Sequence, residues 1–301
     1  MVTSKDAVIT ADRRQAAELL RLLRPRQWIK NAFIAAPLFF TPAAVSPDSV
    51  LRVALGIMCF CALSSAIYIL NDYMDREGDR VHALKRNRPL AAGTVAPTTA
   101  LVLMALLAVV GFIGAFLLGF RFGLIGSGYF VLNLSYSFGL KRISILDVMI
   151  IALGFVLRVY AGGALIGVTP TVWIIVCTGL LALFIALAKR RDDVAKGLSG
   201  DHRASLSGYS SRFLDTAIAI VLGALVVSYI IYTTDLENRH RFGTDQLFVT
   251  TPFVIAAVLR YLQITIVEER SGAPTDIAMT DRFLILAAVG WLATFGWLIY
   301  R

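Results

Sequence analysis

The chain has 301 residues, 57% hydrophobic and 16% charged, with a formal net charge of +9 and a mean hydropathy of +0.73. That is too apolar for an ordinary soluble domain, and long apolar runs separated by short charged loops identify an integral membrane protein. The positive balance does not point to nucleic acid, because the basic residues sit in short loops of a multi-span chain, where anionic lipid headgroups and phosphorylated ligands account for them.

Nine spans are expected, at about 28–44, 51–70, 99–119, 122–139, 145–166, 171–188, 214–233, 248–266 and 283–300, the first short and broken by Pro37. Fold class is therefore all-α, a polytopic membrane helical bundle. Residues 1–26 form an N-terminal segment ahead of a single bundle domain, 27–301. Within the segment, residues 11–24 set Ala16, Ala17, Leu19, Leu20, Leu22 and Leu23 among Arg13, Arg14, Arg21 and Arg24, which predicts an amphipathic helix on the inner leaflet. The polar, acid-containing stretch before the first apolar run, and the spans after it, argue against a cleaved signal peptide. Trp28 marks the interface where the first span begins. Lys30 and Asn31 lie one turn past it, placed either to snorkel to lipid phosphate or to face a ligand.

The second apolar run ends in Asn71-Asp72-Tyr73-Met74-Asp75-Arg76-Glu77-Gly78-Asp79. If the helix continues, Asp72, Asp75 and Asp79 share a face at i, i+3 and i+7. Carboxylates at a helix C-terminus oppose the dipole and repel one another, so the pattern calls for a cation. Mg²⁺ carrying a phosphorylated ligand fits, and the alternative is a solvated polar cap. Behind the acids come Lys85, Arg86, Arg88 and Pro89: guanidinium groups suited to the phosphate oxygens a metal leaves free, or simply topology-setting charge.

Glycines 111, 114, 119, 123, 126 and 128 permit close packing of the third and fourth spans. Asn133, Tyr136, Lys141, Arg142 and Asp147 bring polar groups back to the inner end. Arg158 lies mid-span and requires a bundle-facing position with an anionic partner, a carboxylate or a phosphate. After the sixth span come Lys189, Arg190, Arg191, Asp192 and Asp193, a second polar wall facing the first. The loops 234–247 and 267–281 read as solvated connectors, and no partner for Arg260 is evident. Cys59, Cys61 and Cys177 lie within spans without metal-ligand spacing and read as small apolar packers. No Walker loop, nucleophilic triad or zinc pattern occurs.

Of the 29 Lys and Arg, 22 fall on the side shared by the N-terminus and the acidic stretch, five on the other side and two within spans. The positive-inside rule places the N-terminus and the acidic stretch in the cytoplasm and the C-terminus outside, with the plasma membrane as the expected location. The spans' uniformly apolar lipid-facing surfaces set no oligomeric state, and a homo-oligomer stays open.

Asn71-Asp72-x-x-Asp75-x-x-x-Asp79 followed by Arg88-Pro89-Leu90-x-x-Gly93, in a chain of about nine spans, resembles the UbiA superfamily of intramembrane prenyltransferases over nearly its whole length. The opening Arg24-Pro25-Arg26-Gln27-Trp28-Ile29-Lys30-Asn31, the stretch Leu140-Lys141-Arg142 and Gly154-Phe155-Val156-Leu157-Arg158 are similar to its decaprenyl-phosphate phosphoribosyltransferase branch. The resemblance implies a helical bundle with a cytoplasm-facing polar cavity, Mg²⁺ held by aspartate motifs, 5-phosphoribosyl diphosphate as donor, and a polyprenyl phosphate from the bilayer as acceptor, in cell-wall arabinan precursor synthesis. It implies metal ligation by Asp72, Asp75 and Asp79, with Asn71 beside them. Lys30, Asn31, Arg86, Arg88, Asn133, Tyr136, Lys141, Arg142, Lys189, Arg190 and Arg191 become candidates for the phosphates, and Arg158, Asp192 and Asp193 for the acceptor side or second motif. The second motif departs from the family, since its acids are adjacent and follow three basic residues, which puts a two-metal site in doubt. An aromatic acceptor for a prenyl group is the alternative, and lipid transport a remote one.

Overall fold

The computed structural model describes residues 15–81, 85–197 and 204–301; His82, His202, Arg13 and Arg14 lie outside them. Eight long helices follow one another: α1 (Pro47–Met74), α2 (Pro97–Leu118), α3 (Phe120–Phe138), α4 (Leu146–Ile166), α5 (Val172–Ala195), α6 (Ser211–Thr234), α7 (Thr251–Ile266) and α8 (Arg282–Tyr300). Among the described residues seven segments are long and apolar enough to cross a membrane: α1, α2, α4, α5, α6, Leu247–Ile266 and α8. α3 has 19 residues but dilutes its apolar surface with Arg121, Asn133 and serines. Helix starts follow local chemistry, with Ser46, Thr171, Ser210 and Asp281 each accepting an amide hydrogen bond from the first turn of the helix it precedes.

The first expected span is not an α-helix. Pro25–Ala35 is a 3-10 helix, followed by the short α-helix Ala36–Phe39 and a 3-10 turn, Pro42–Ala44. Pro37 donates no amide hydrogen bond and so interrupts any regular ladder. The segment nevertheless crosses the bundle. At one end Thr275 Oγ1 donates to Gln27, and at the other Tyr300 Oη donates to the Phe39 carbonyl at 3.1 Å. The steeper rise of a 3-10 helix, about 2.0 Å per residue, lets a short segment cover that distance. Its closest neighbour is α4, where a Cβ on Gly162 would stand 2.0 Å from the Ile34 carbonyl oxygen. Only glycine allows that approach.

Residues 15–23 are helical and dock on the bundle. Leu22 is fully buried against Ile69, Leu90, Val95 and Ala100, so part of the amphipathic face packs on protein. Two larger cores fill the molecule. Ile34, Phe60, Phe122, Tyr129 and Ala161 join the crossing segment to α1, α3 and α4, and Phe184, Leu214, Ile218 and Ile264 join α5, α6 and α7. Phe39, Phe40, Tyr232, Trp291 and Phe295 close the end opposite the acidic stretch with an aromatic cluster.

Candidate active site

The acidic stretch forms as expected up to Met74, and then the helix breaks at Asp75 before resuming at Arg76–Val81. At 3.6 residues per turn Asp79 lies almost in line with Asp72, and Asp75 stands to one side. The contacts follow that geometry. Arg88 Nη1 bridges Asp72 Oδ1 at 3.0 Å and Asp79 Oδ2 at 2.6 Å, and Arg24 Nη2 also donates to Asp72. Asp72 and Asp79 are buried, whereas the Asp75 side chain is 44% exposed and is held by Lys141 Nζ at 2.8 Å. Asn71 turns its carbonyl to the Asp75 amide at 2.9 Å. Of the basic residues expected here, Arg88 and Lys141 reach the carboxylates and Lys85 Nζ stands 4.0 Å from Asp79 Oδ1, while Arg86 and Arg142 are exposed with no carboxylate partner among the described residues.

Arg24, absent from the expected site, is the main addition. It ends the N-terminal helix, and its guanidinium lies over the Tyr68 ring, 5.2 Å from the centroid. An open cleft of about 600 Å³, lined by Arg21, Arg24, Arg26, Arg88 and Asp72, leads to the stretch. A larger groove of about 770 Å³ beside Gln15, Glu18 and Thr99 contains no cation and none of the expected site residues.

Below this level a buried cation is held by neutral groups. Arg158 is 5% exposed; its Nε donates to Asn31 Oδ1 at 2.8 Å, Nη1 to the Gly154 carbonyl and Nη2 to Tyr129 Oη. Asn31 thus faces inward, also donating to Cys61 and Ser64. Among the described residues no carboxylate pairs with Arg158. Lys30 sits in the field of Arg158, Lys189 and Arg24, and makes no hydrogen bond or ion pair among the described residues. Asn133 bonds back to the Tyr129 carbonyl of its own helix.

The second wall is built differently from expectation. Arg190 is buried, and its Nε donates to Asp147 Oδ2 at 2.7 Å, with Asp193 and Tyr136 as further partners. Asp147 also accepts from Tyr209 Oη at 2.6 Å and Ser205 Oγ at 3.2 Å, tying the 204–209 segment to α4 and α5. Burial, then the bond to Asp147, pushes the Tyr209 phenol well above its ordinary range, so it remains a donor. Asp192 pairs with Lys196 at 2.7 Å, and Arg191 turns away to Asp215, Glu269 and the Thr265 carbonyl. The adjacent acids therefore point apart, Asp193 to Arg190 and Asp192 to Lys196, because neighbouring helical positions face different directions. Arg260 acquires partners in Asp281 and Glu268. Sequence reading missed Tyr129, Ser205 and Tyr209, whose roles depend on contacts across long separations. Pairing Asp147 with a mid-loop Tyr has no sequence signal.

A divalent cation fits where Arg88 Nη1 now bridges Asp72 and Asp79. A positive group already occupies that position within hydrogen-bond distance of both carboxylates, and oxygen donors suit Mg²⁺. No group of three carboxylate, His or Cys side chains is assembled among the described residues, and Asp75 stands apart.

The UbiA prenyltransferase family model matches residues 32–234. The chain is 32% identical to the decaprenyl-phosphate phosphoribosyltransferase of Mycolicibacterium smegmatis, over 94% of this chain and 92% of that protein. It is also 32% identical to the enzyme of that name from Corynebacterium glutamicum, over 91% and 84%. A solved UbiA homolog from Archaeoglobus fulgidus, bound to DMAPP and Mg²⁺, superposes with a TM-score of 0.70 at 21% identity, covering 93% of this chain and 98% of that one; this shows the fold.

Proposed function

The chain belongs to the UbiA prenyltransferase family, and from that premise we propose that it transfers the 5-phosphoribosyl group of 5-phosphoribosyl 1-diphosphate to decaprenyl phosphate or a similar polyprenyl phosphate, releasing diphosphate. The observation that carries this reading is Arg158, a buried guanidinium among neutral partners with Lys30 beside it. A charge so placed is costly unless an anion joins it. The aspartate stretch accounts for one diphosphate, so a second basic group calls for further phosphate, on the ribose or on the lipid. The mycobacterial and corynebacterial relatives support the reading, since they match nearly end to end.

In the reaction the bond from ribose C1 to the diphosphate oxygen breaks, the electron pair leaves with diphosphate, and a lipid phosphate oxygen bonds to C1. Arg24, Arg88 and Lys141 stand next to Asp72, Asp75 and Asp79 to hold the leaving diphosphate. Asp72 and Asp79 would hold Mg²⁺, which would neutralise charge developing on that group, with Asp75 to one side on Lys141 and Asn71 next to Asp72 in the chain. Lys30, Arg158 and the Asn31 carboxamide that orients it take the additional phosphate, and Arg190 lines the opposite wall. The nucleophile needs no general base, because a phosphate monoester has a second pKa of about 6 and is already anionic. The acidic stretch faces the cytoplasm of the plasma membrane on this reading, and the product feeds cell-wall arabinan precursors.

The test is a membrane assay with labelled 5-phosphoribosyl diphosphate and decaprenyl phosphate, read as Mg²⁺-dependent label in the lipid fraction. Asp72→Ala and Asp75→Ala are expected to abolish that label in folded protein. No label, together with prenyl transfer from a prenyl diphosphate to an aromatic acid, would replace this reading with aromatic prenylation. Transport is opposed by the aromatic cluster closing the far end, since a transport path needs polar groups at both ends.

A further inference from the structure

Each carboxylate of the acidic stretch already has a cation of the chain's own. Asp72 holds Arg24 and Arg88, Asp79 holds Arg88, and Asp75 holds Lys141. The same guanidinium groups of Arg24 and Arg88 line the open cleft, where an incoming anion meets them. Arg24 is also, among the described residues, one of three non-glycine residues with positive φ, at φ 52 and ψ 58, a left-handed conformation an L-residue adopts at a cost. The strain lies at the joint between the N-terminal helix and the crossing segment, and it directs Arg24 over Tyr68 onto Asp72.

We propose that Arg24 and Arg88 are placeholder counter-ions: they occupy the metal's position on Asp72 while the site is empty and are handed to the diphosphate when a divalent cation takes the carboxylates. The proposal rests on the reading that this site binds a metal and a diphosphate. A cation arriving alone must displace two guanidiniums that then lose their partners, and a diphosphate arriving alone finds those guanidiniums already engaged. Together each ligand frees the partner the other needs, so the two sites are coupled, and the coupling is reciprocal. Arg24 acts as a positioning residue on Asp72 in the empty state and as an anion ligand in the loaded one.

Two binding measurements on the full chain in nanodiscs test this without turnover. Mn²⁺ alone is titrated by the loss of its free EPR signal, and inorganic diphosphate alone is titrated calorimetrically in EDTA. Arg24→Gln keeps the backbone cost but removes the charge, and it is expected to tighten Mn²⁺ by about fivefold or more, the lower range of typical couplings. Arg21→Gln, in the same cleft but paired to Glu18, supplies the plain electrostatic control. Conversely, Asp72→Asn frees Arg24 and leaves Arg88 on Asp79 alone, and it is expected to tighten metal-free diphosphate by a similar factor, with Glu77→Gln as its control.

Equal Mn²⁺ affinity in Arg24→Gln and Arg21→Gln, or weaker binding in the former, overturns the proposal. If Arg24→Gln does not fold, Arg88→Gln replaces it: it removes the guanidinium shared by Asp72 and Asp79 and should shift Mn²⁺ in the same direction. Failure of phosphoribosyl transfer to lipid leaves both measurements intact and removes the substrate assignment instead, so the two ideas fail separately.

Discussion

Arg158 shows at residue scale how stability and function pull apart. Its guanidinium is solvated by an amide oxygen, a carbonyl and a phenol, with the Tyr129 ring 4.6 Å away, and among the described residues no carboxylate neutralises it. Arg158→Gln removes a buried charge while keeping polar reach. It is expected to leave thermal stability unchanged or raised and to increase the KM for the phosphorylated substrates by about 10- to 100-fold, the value of a hydrogen bond to a charged group. A collapse in Tm with KM unchanged would make Arg158 structural. Tyr209 titrates in the opposite sense to a depressed carboxylate: its folded pKa is raised, so its contribution is fully present below the ordinary phenol value of about 10 and is lost as pH rises further. Tyr209→Phe should therefore melt lower than the parent at pH 8, and the gap should narrow above pH 10, measured as Tm against pH.

At the scale of elements, the crossing segment and the end of α1 carry the site. The segment supplies Asn31 and Lys30, and its position depends on a carbonyl resting against Gly162. Gly162→Ala forces that contact apart. It should cost about 1–3 kcal/mol, as overpacking does, and reduce turnover because Asn31 moves with the backbone; denaturation of the purified variant, paired with the lipid-labelling assay, reads both. Much of this level was legible in the chain. The acidic stretch at a helix end, the inward Arg158 and the polar residues clustering at one end all follow from periodicity and burial cost. The 3-10 character of the first span was not, because Pro37 signals a break without saying what replaces it. Nor was the pairing of Asp192 and Asp193, since adjacency in sequence does not say which way each helical position faces.

Across the whole molecule, polarity is segregated: charged side chains crowd the Asp72 end, and packed aromatic rings close the other. The orientation proposed for it is checked by cysteine labelling in intact cells, where Arg241→Cys should react with an impermeant reagent directly and Arg86→Cys only after permeabilisation. Reaction of Arg86→Cys in sealed cells would invert the topology. Composition, span pattern and the Asp72 to Asp79 spacing were enough to point to a membrane bundle of this family with carboxylates gathered at one helix end, because burial cost and helical period act within a short stretch of chain. Which cation meets each carboxylate was decided only by the tertiary structure. Arg24 reaches Asp72 and Lys141 reaches Asp75 across separations of 48 and 66 residues, and such pairings are set by how helices pack.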